Sequence, residues 1–123
     1  MSGPGSDRRV LIVDDERVVA DTLAMILSKS GYATKVAYSG EQALELASVF
    51  EPNLLITEVV MSGITGFEVA NQIAGSLPSC KVIMFSGQAQ ALILLIQRTA
   101  ERFEILAKPV APPLLLDRIT RLT

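Results

Sequence analysis

The chain has 123 residues, enough for one domain with a sizeable core but too few for two domains of ordinary size. Half of the residues are apolar and a fifth are charged, which is typical of a globular domain, and a net charge of −2 argues against direct binding of nucleic acid. With no histidine and one cysteine, the sequence excludes a catalytic histidine, a Cys/His metal cluster and an internal disulfide.

Segments typical of strands and of helices alternate along the chain. The predicted strands are 10–13, 34–37, 54–57, 81–85 and 104–107. The predicted helices are 17–30, 40–50, 67–74, 89–102 and a last helix that begins at Pro112 or Pro113. Gly31 is placed to end the first helix, and Ser39 to cap the second, with Gln42 at the spacing of a capping box.

This alternation predicts an α/β fold in which helices cover both faces of a doubly wound, five-stranded parallel sheet. Sites in such sheets lie at the carboxyl ends of the strands. The candidates for function are therefore the polar residues that directly follow the apolar strand segments: Asp14, Asp15, Glu58, Ser86 and Lys108.

Two features of the sequence bear on where the protein resides. The longest apolar run, 91–96, has six residues and is far too short for a membrane span. The lone Cys80 suits a reducing compartment and is expected to be a small buried apolar residue. We therefore expect a cytoplasmic protein without membrane contact. We also expect a disordered N-terminal lead at 1–7, followed by one domain over 8–123.

The five candidate residues form a chemically consistent set. Three carboxylates in one cleft need a shared proton or a hard divalent cation, and Mg²⁺ prefers such oxygen ligands. Lys108 adds a positive charge suited to phosphate, and Ser86 adds a hydroxyl that can bond a phosphoryl oxygen. Together these groups indicate phosphoryl transfer to a carboxylate.

Four segments in order resemble response regulator receiver domains of the chemotaxis type. They are V-L-I-V-D-D-E at 10–16, P-N-L-L-I-T-E-V-V-M-S-G-I-T-G-F-E at 52–68, V-I-M-F-S-G at 82–87 and L-A-K-P-V at 106–110. The resemblance extends from about Arg9 to the end of the chain. It implies a flavodoxin-like fold with strand order 2-1-3-4-5.

The resemblance also implies a role for each candidate residue. The implied Mg²⁺ ligands are Asp14 through water, Asp15 directly, Glu58 at the phosphoacceptor position, and the backbone carbonyl of Val60. Ser86 matches the switch hydroxyl that moves to the phosphoryl group, and Lys108 matches the lysine that pairs with it. These roles imply a module of a two-component or phosphorelay pathway rather than an enzyme.

The implied partners are a histidine kinase or phosphorelay protein and a downstream effector. A homodimer through the face of the fourth helix, fifth strand and last helix is a further expectation. The apolar run at 91–96 in the predicted fourth helix is compatible with such an interface and equally with a well-buried helix.

Three residues depart from the family pattern. Glu58 stands where the family has aspartate, and its extra methylene moves the carboxylate by about 1.5 Å toward the place of a phosphoryl oxygen. Ile105 stands where the family usually has an aromatic switch residue, and Ser62 replaces the usual proline of the loop. These departures predict a receiver that is impaired in phosphorylation, with Glu58 acting as a mimic of the active state.

Two other functions remain open at this point. The first is a working receiver that accepts phosphate from a histidine kinase. The second is a phosphatase like the haloacid dehalogenases, but their D-x-D nucleophile motif differs from the adjacent Asp14 and Asp15 of this chain.

Overall fold

The computed structural model describes residues 8–87, 103–108 and 111–122. The strands are β1 (Arg9–Val13), β2 (Ala33–Ala37), β3 (Leu54–Glu58), β4 (Lys81–Ser86) and β5 (Glu104–Ala107). The helices are α1 (Arg17–Lys29), α2 (Gly40–Phe50), α3 (Gly66–Ser76) and α4 (Pro112–Leu122). The disordered lead predicted at 1–7 and the helix predicted at 89–102 lie outside the described residues.

The five strands form one parallel sheet in the order β2-β1-β3-β4-β5, which confirms the predicted topology. The order places both β1 and β3 between other strands, where both faces of the sheet are covered. Their residues are accordingly almost uniformly apolar and buried, as parallel strands between two helical layers require.

Alternating residues of the central strands separate into two cores, which confirms helices on both faces. Leu11 and Leu55 pack with α2 and α3 on one face. Ile12 and Ile56 pack with α1 and α4 on the other face. Each such side chain stabilises the fold by roughly 1.5–3 kcal/mol when it is fully buried.

Local signals define the helix ends, with one correction to the sequence-based prediction. Ser39 Oγ accepts a hydrogen bond from the Gln42 amide at 3.1 Å, as predicted. The Gln42 side chain, however, accepts from the amide of Tyr38 at 2.8 Å, one residue before the cap, so the predicted capping box at α2 is incomplete. A complete capping box is present instead at α3, between Thr65 and Glu68, where none was predicted from the sequence.

Gly66 holds the loop after β3 against the end of that strand. Its amide donates to the Val59 carbonyl at 2.9 Å. A Cβ at this position would collide with the backbone carbonyl oxygen of Glu58, so glycine is required for this approach. The close contact keeps the loop 59–65 beside the end of β3.

Within the described ranges, no helix has both the length and the apolar character needed to cross a membrane.

Candidate functional site at the carboxyl edge of the sheet

The strand register brings the candidate residues to one edge of the sheet. Val13, the last residue of β1, pairs with Ala37 on one side and with Thr57 on the other. Glu58 pairs with Phe85, and Ser86 pairs with Ala107. The residues that end or follow β1, β3, β4 and β5 therefore lie side by side, as the sequence predicted.

Lys108 forms the centre of the site. Its Nζ lies 2.9 Å from Asp14 Oδ2 and 3.2 Å from Glu58 Oε2. The side chains of Asp14, Glu58 and Lys108 are 3%, 12% and 20% exposed, so the ion pairs are largely shielded from solvent. Burial of charge is costly unless the charge is paired, and Lys108 offsets two carboxylates at once.

The backbone fixes both partners of the shorter ion pair. The amide of Lys108 donates to the Ser86 carbonyl at 3.1 Å, which continues the pairing of β4 with β5. The amide of Asp14 donates to the Ala37 carbonyl at 3.1 Å, and Asp14 Oδ1 accepts from the amide of Glu16 at 2.9 Å. Asp14 is thus held at both its backbone and its side chain.

Asp15 has a different environment from its neighbour. Its side chain is exposed, and its Oδ2 accepts from the amide of Ser62 at 3.3 Å and from the Ser62 hydroxyl at 3.4 Å. Asp15 therefore connects the loop after β1 to the loop after β3, and its carboxylate is not part of the Lys108 cluster.

Burial raises the pKa of Glu58 above its ordinary value. The positive charge of Lys108 opposes this shift but does not cancel it, and the nearby Asp14 and Glu16 carboxylates add to it. Among the described residues, no donor makes a hydrogen bond to Glu58 Oε2, although Lys108 Nζ is within ion-pair distance. The Glu58 carboxylate is therefore the least satisfied charge in the cluster.

Lys108 remains charged in this setting. Burial disfavours its ammonium group, but the contacts with Asp14 and Glu58 outweigh burial and raise the pKa of Lys108. The ammonium group of Lys108 therefore supplies a permanent positive charge in the cleft.

The remaining candidate positions have the following environments. Ser86 is buried at the end of β4, and Val60 is exposed in the loop after β3. Ile105 is half-buried and packs against the core that includes Leu55. Cys80 is buried as predicted, and burial raises the pKa of its thiol to about 11.

The predicted Mg²⁺ ligands match the cation in donor chemistry but not in arrangement. Carboxylate and carbonyl oxygens suit Mg²⁺. Across residues 8–87, 103–108 and 111–122, however, no three acidic, histidine or cysteine side chains are grouped closely enough to hold one metal ion. Lys108 lies between Asp14 and Glu58, and Ser62 engages Asp15.

The comparison with known sequences and structures decides the family. A family model described as "Response regulator receiver domain" matches residues 10–120. The chain belongs to this family. It is therefore a receiver domain of the two-component response regulator type, and receiver domains typically bind Mg²⁺.

Several relatives agree with this assignment. This receiver domain is similar to the response regulator MprA of Mycobacterium tuberculosis, with 30% identity over 114 residues, which cover 93% of this chain and 50% of MprA. The MprA of Mycobacterium ulcerans is also 30% identical over 114 residues, which cover 93% of this chain and 49% of the relative. The chain thus spans about half the length of these curated relatives.

The receiver fold is also found in solved structures. The response regulator TrrA of Thermotoga maritima, crystallised in complex with Mg²⁺-BeF, has a TM-score of 0.82 and 28% identity, covering 94% of this chain and 99% of TrrA. A CheY-like receiver domain protein of Methanospirillum hungatei has a TM-score of 0.82 and 26% identity, covering 93% of this chain and 91% of the other.

Two contacts of the site were missed by the sequence reading. The hydrogen bond from Lys108 to Asp14 was not predicted, and the implied pairing of Lys108 with a phosphoryl group stays a prediction. Ser62 was read only as the loss of a proline, although it contacts Asp15. The change from proline to a residue with an amide and a hydroxyl was the available signal for the second contact.

Proposed function

We propose that this receiver is impaired in phosphorylation and that Glu58, at the phosphoacceptor position, mimics the phosphorylated state. The observation that carries the proposal is the 3.2 Å contact between Glu58 Oε2 and Lys108 Nζ. Lys108 is the residue implied to pair with the phosphoryl group. In this chain the glutamate carboxylate reaches the lysine by itself.

Placement of the carboxylate supports the impairment. Phosphoryl transfer requires the attacking oxygen to be aligned with the donor, and an error of about 1 Å can cost roughly a hundredfold in rate. The extra methylene of glutamate displaces the carboxylate by about 1.5 Å relative to aspartate. The ion pair with Lys108 further holds this carboxylate in place.

The proposed role in signalling rests on these residues and on the family. The module transmits its signal by binding other proteins, not by catalysing turnover, and it resides in the cytoplasm. Its partners are a histidine kinase or phosphorelay protein and a downstream effector. A homodimer face formed by the helix predicted at 89–102, β5 and α4 is part of the proposal.

The domain over 8–123 is the signalling unit. It binds Mg²⁺ weakly at Asp14, Asp15, Glu58 and the Val60 carbonyl.

Intact-mass measurement after incubation with acetyl phosphate and Mg²⁺ tests the proposal. We expect no added phosphoryl mass on the unaltered protein, and an added mass on Glu58→Asp. The Glu58→Gln variant is the matched control, since it keeps the length of glutamate without a nucleophilic carboxylate. Phosphorylation of the unaltered protein, absent from Glu58→Gln, would establish the alternative function of a working phosphoacceptor. A Glu58→Asp variant that stays unmodified would place the defect elsewhere, with Ile105 as the next residue to change.

A further inference from the structure

The acidic cleft contains two internal partners that occupy its carboxylates. Lys108 neutralises the buried part, where its Nζ lies 2.9 Å from Asp14 and 3.2 Å from Glu58. Ser62 serves the exposed part, where its amide and its hydroxyl both point to Asp15 Oδ2. Every one of the three predicted metal-binding carboxylates therefore already has a partner within the chain.

Binding of a divalent cation is disfavoured in both parts of the cleft, the buried part at Lys108 and the exposed part at Asp15. Near Asp14 and Glu58 it encounters the positive charge of Lys108, and like charges repel strongly where solvent is largely excluded. At Asp15 the cation must compete with two hydrogen-bond donors, which stabilise the carboxylate and fix its orientation.

The donors at Asp15 depend on the residue type at position 62. Proline, the residue usual in the family, has neither an amide hydrogen nor a hydroxyl and could make neither contact. Serine supplies both. The φ angle of Ser62 is negative, because Glu51 is the one non-glycine residue with positive φ in the described ranges. Proline also requires a negative φ, so the backbone at position 62 does not exclude it on this ground.

We propose that Ser62 is a positioning residue that holds Asp15 against the loop after β3 and, together with Lys108, makes the cleft self-neutralised so that Mg²⁺ binds weakly. This inference rests on the proposed weak Mg²⁺ site and assigns the residue that sets its affinity. Ser62 acts through Asp15 and does not itself bind the cation.

Titration with Mg²⁺, followed by the amide resonances of the folded protein, measures the affinity without any phosphorylation assay. We expect Ser62→Pro, which removes both donors, to lower the dissociation constant by about fivefold. Ser62→Ala keeps the amide and should lower it by about twofold. Ser62→Thr keeps both donors and should restore the affinity of the unaltered protein.

Ser76→Ala is the matched control, since it removes a serine hydroxyl that donates to the Gln72 carbonyl at the far end of α3. Its Mg²⁺ affinity should equal that of the unaltered protein. If Ser62→Pro does not fold, Ser62→Ala and Ser62→Thr decide the question. Equal affinity for the unaltered protein and all Ser62 variants would overturn the role of Ser62 while leaving weak Mg²⁺ binding intact. No binding by any variant would overturn the Mg²⁺ part of the proposed function, and this inference with it.

Discussion

Asp14 and Asp15 are neighbours in sequence, yet the fold gives them opposite environments. Asp14 is buried and paired with Lys108 at 2.9 Å, with a second hydrogen bond from the amide of Glu16. Asp15 is exposed and makes two long hydrogen bonds to Ser62. The buried carboxylate needs its partner, because an unpaired charge there is costly. The exposed one adds little to the stability of the fold, because water solvates it when its partners are lost. The cleft therefore has a buried inner part and a solvent-exposed rim.

Among the variants that test this difference between the two parts of the cleft, Lys108→Met should have the largest effect on stability. The variant leaves Asp14 and Glu58 facing each other without compensation, and we expect a loss of about 3 kcal/mol in the free energy of unfolding at pH 7, the low end for a buried pair because Lys108 is partly exposed. Denaturant unfolding measures this loss. Lys35→Met, at an exposed position of β2, is the control and should cost under about 0.5 kcal/mol. Equal stability of the two variants would mean that the inner cluster is not held by its charge balance.

Gly66→Ala tests whether the loop after β3 depends on close approach to Glu58. The new methyl group collides with the Glu58 backbone carbonyl, so we expect destabilisation of about 2 kcal/mol. Gly75→Ala lies in the same helix with nothing within 4 Å of the added carbon, and it should be neutral or stabilise by up to about 1 kcal/mol. Thermal unfolding of both variants gives the comparison, and a loss at Gly75 equal to that at Gly66 would contradict it.

Substitution of each aspartate by asparagine compares directly how much the buried Asp14 and the exposed Asp15 contribute to stability. Asp14→Asn removes the buried ion pair with Lys108 while its side-chain oxygen can still accept from the Glu16 amide, so we expect a loss of about 1–2 kcal/mol. Asp15→Asn lies at the exposed rim and should change stability by less than about 0.5 kcal/mol. Chemical denaturation at pH 7 distinguishes them. Similar losses for both would show that burial is not what separates these neighbours.

The smallest effect is expected from Glu58→Gln, and it depends on pH. Because burial raises the pKa of Glu58, the folded protein holds this proton more tightly than the unfolded chain does. The stability of the unaltered protein relative to Glu58→Gln should therefore fall as pH rises from about 4.3 through the raised pKa. We expect the variant to be the more stable protein at pH 7, with the difference vanishing near pH 4.

Unfolding curves for both proteins across this pH range provide the test, with Glu45→Gln on the exposed face of α2 as the control. A variant that becomes relatively less stable as pH rises would show that the pair with Lys108 outweighs the burial of Glu58.

Much of the fold could be predicted from the sequence, because apolar periodicity is local. The predicted bounds of β5 and α2 are confirmed, and every other predicted bound of a described element lies within two residues of the observed one. The capping box at Thr65 and Glu68 was missed although its spacing is visible, and Gln42 was assigned a cap that it does not complete. Such side-chain choices depend on the rotamer and the entry angle of the chain, which composition does not specify.

The alternation of strands and helices follows from the amino-acid sequence alone, and it places Asp14, Glu58, Ser86 and Lys108 at one edge of the sheet. These follow from hydrophobic patterning and from the rule that parallel strands end at a common edge. Three features arise from tertiary packing: Lys108 donates to Asp14, Asp15 accepts from Ser62, and burial raises the pKa of Glu58. Those outcomes depend on distances of a few tenths of an ångström and on burial, which arise only when residues distant in sequence pack together.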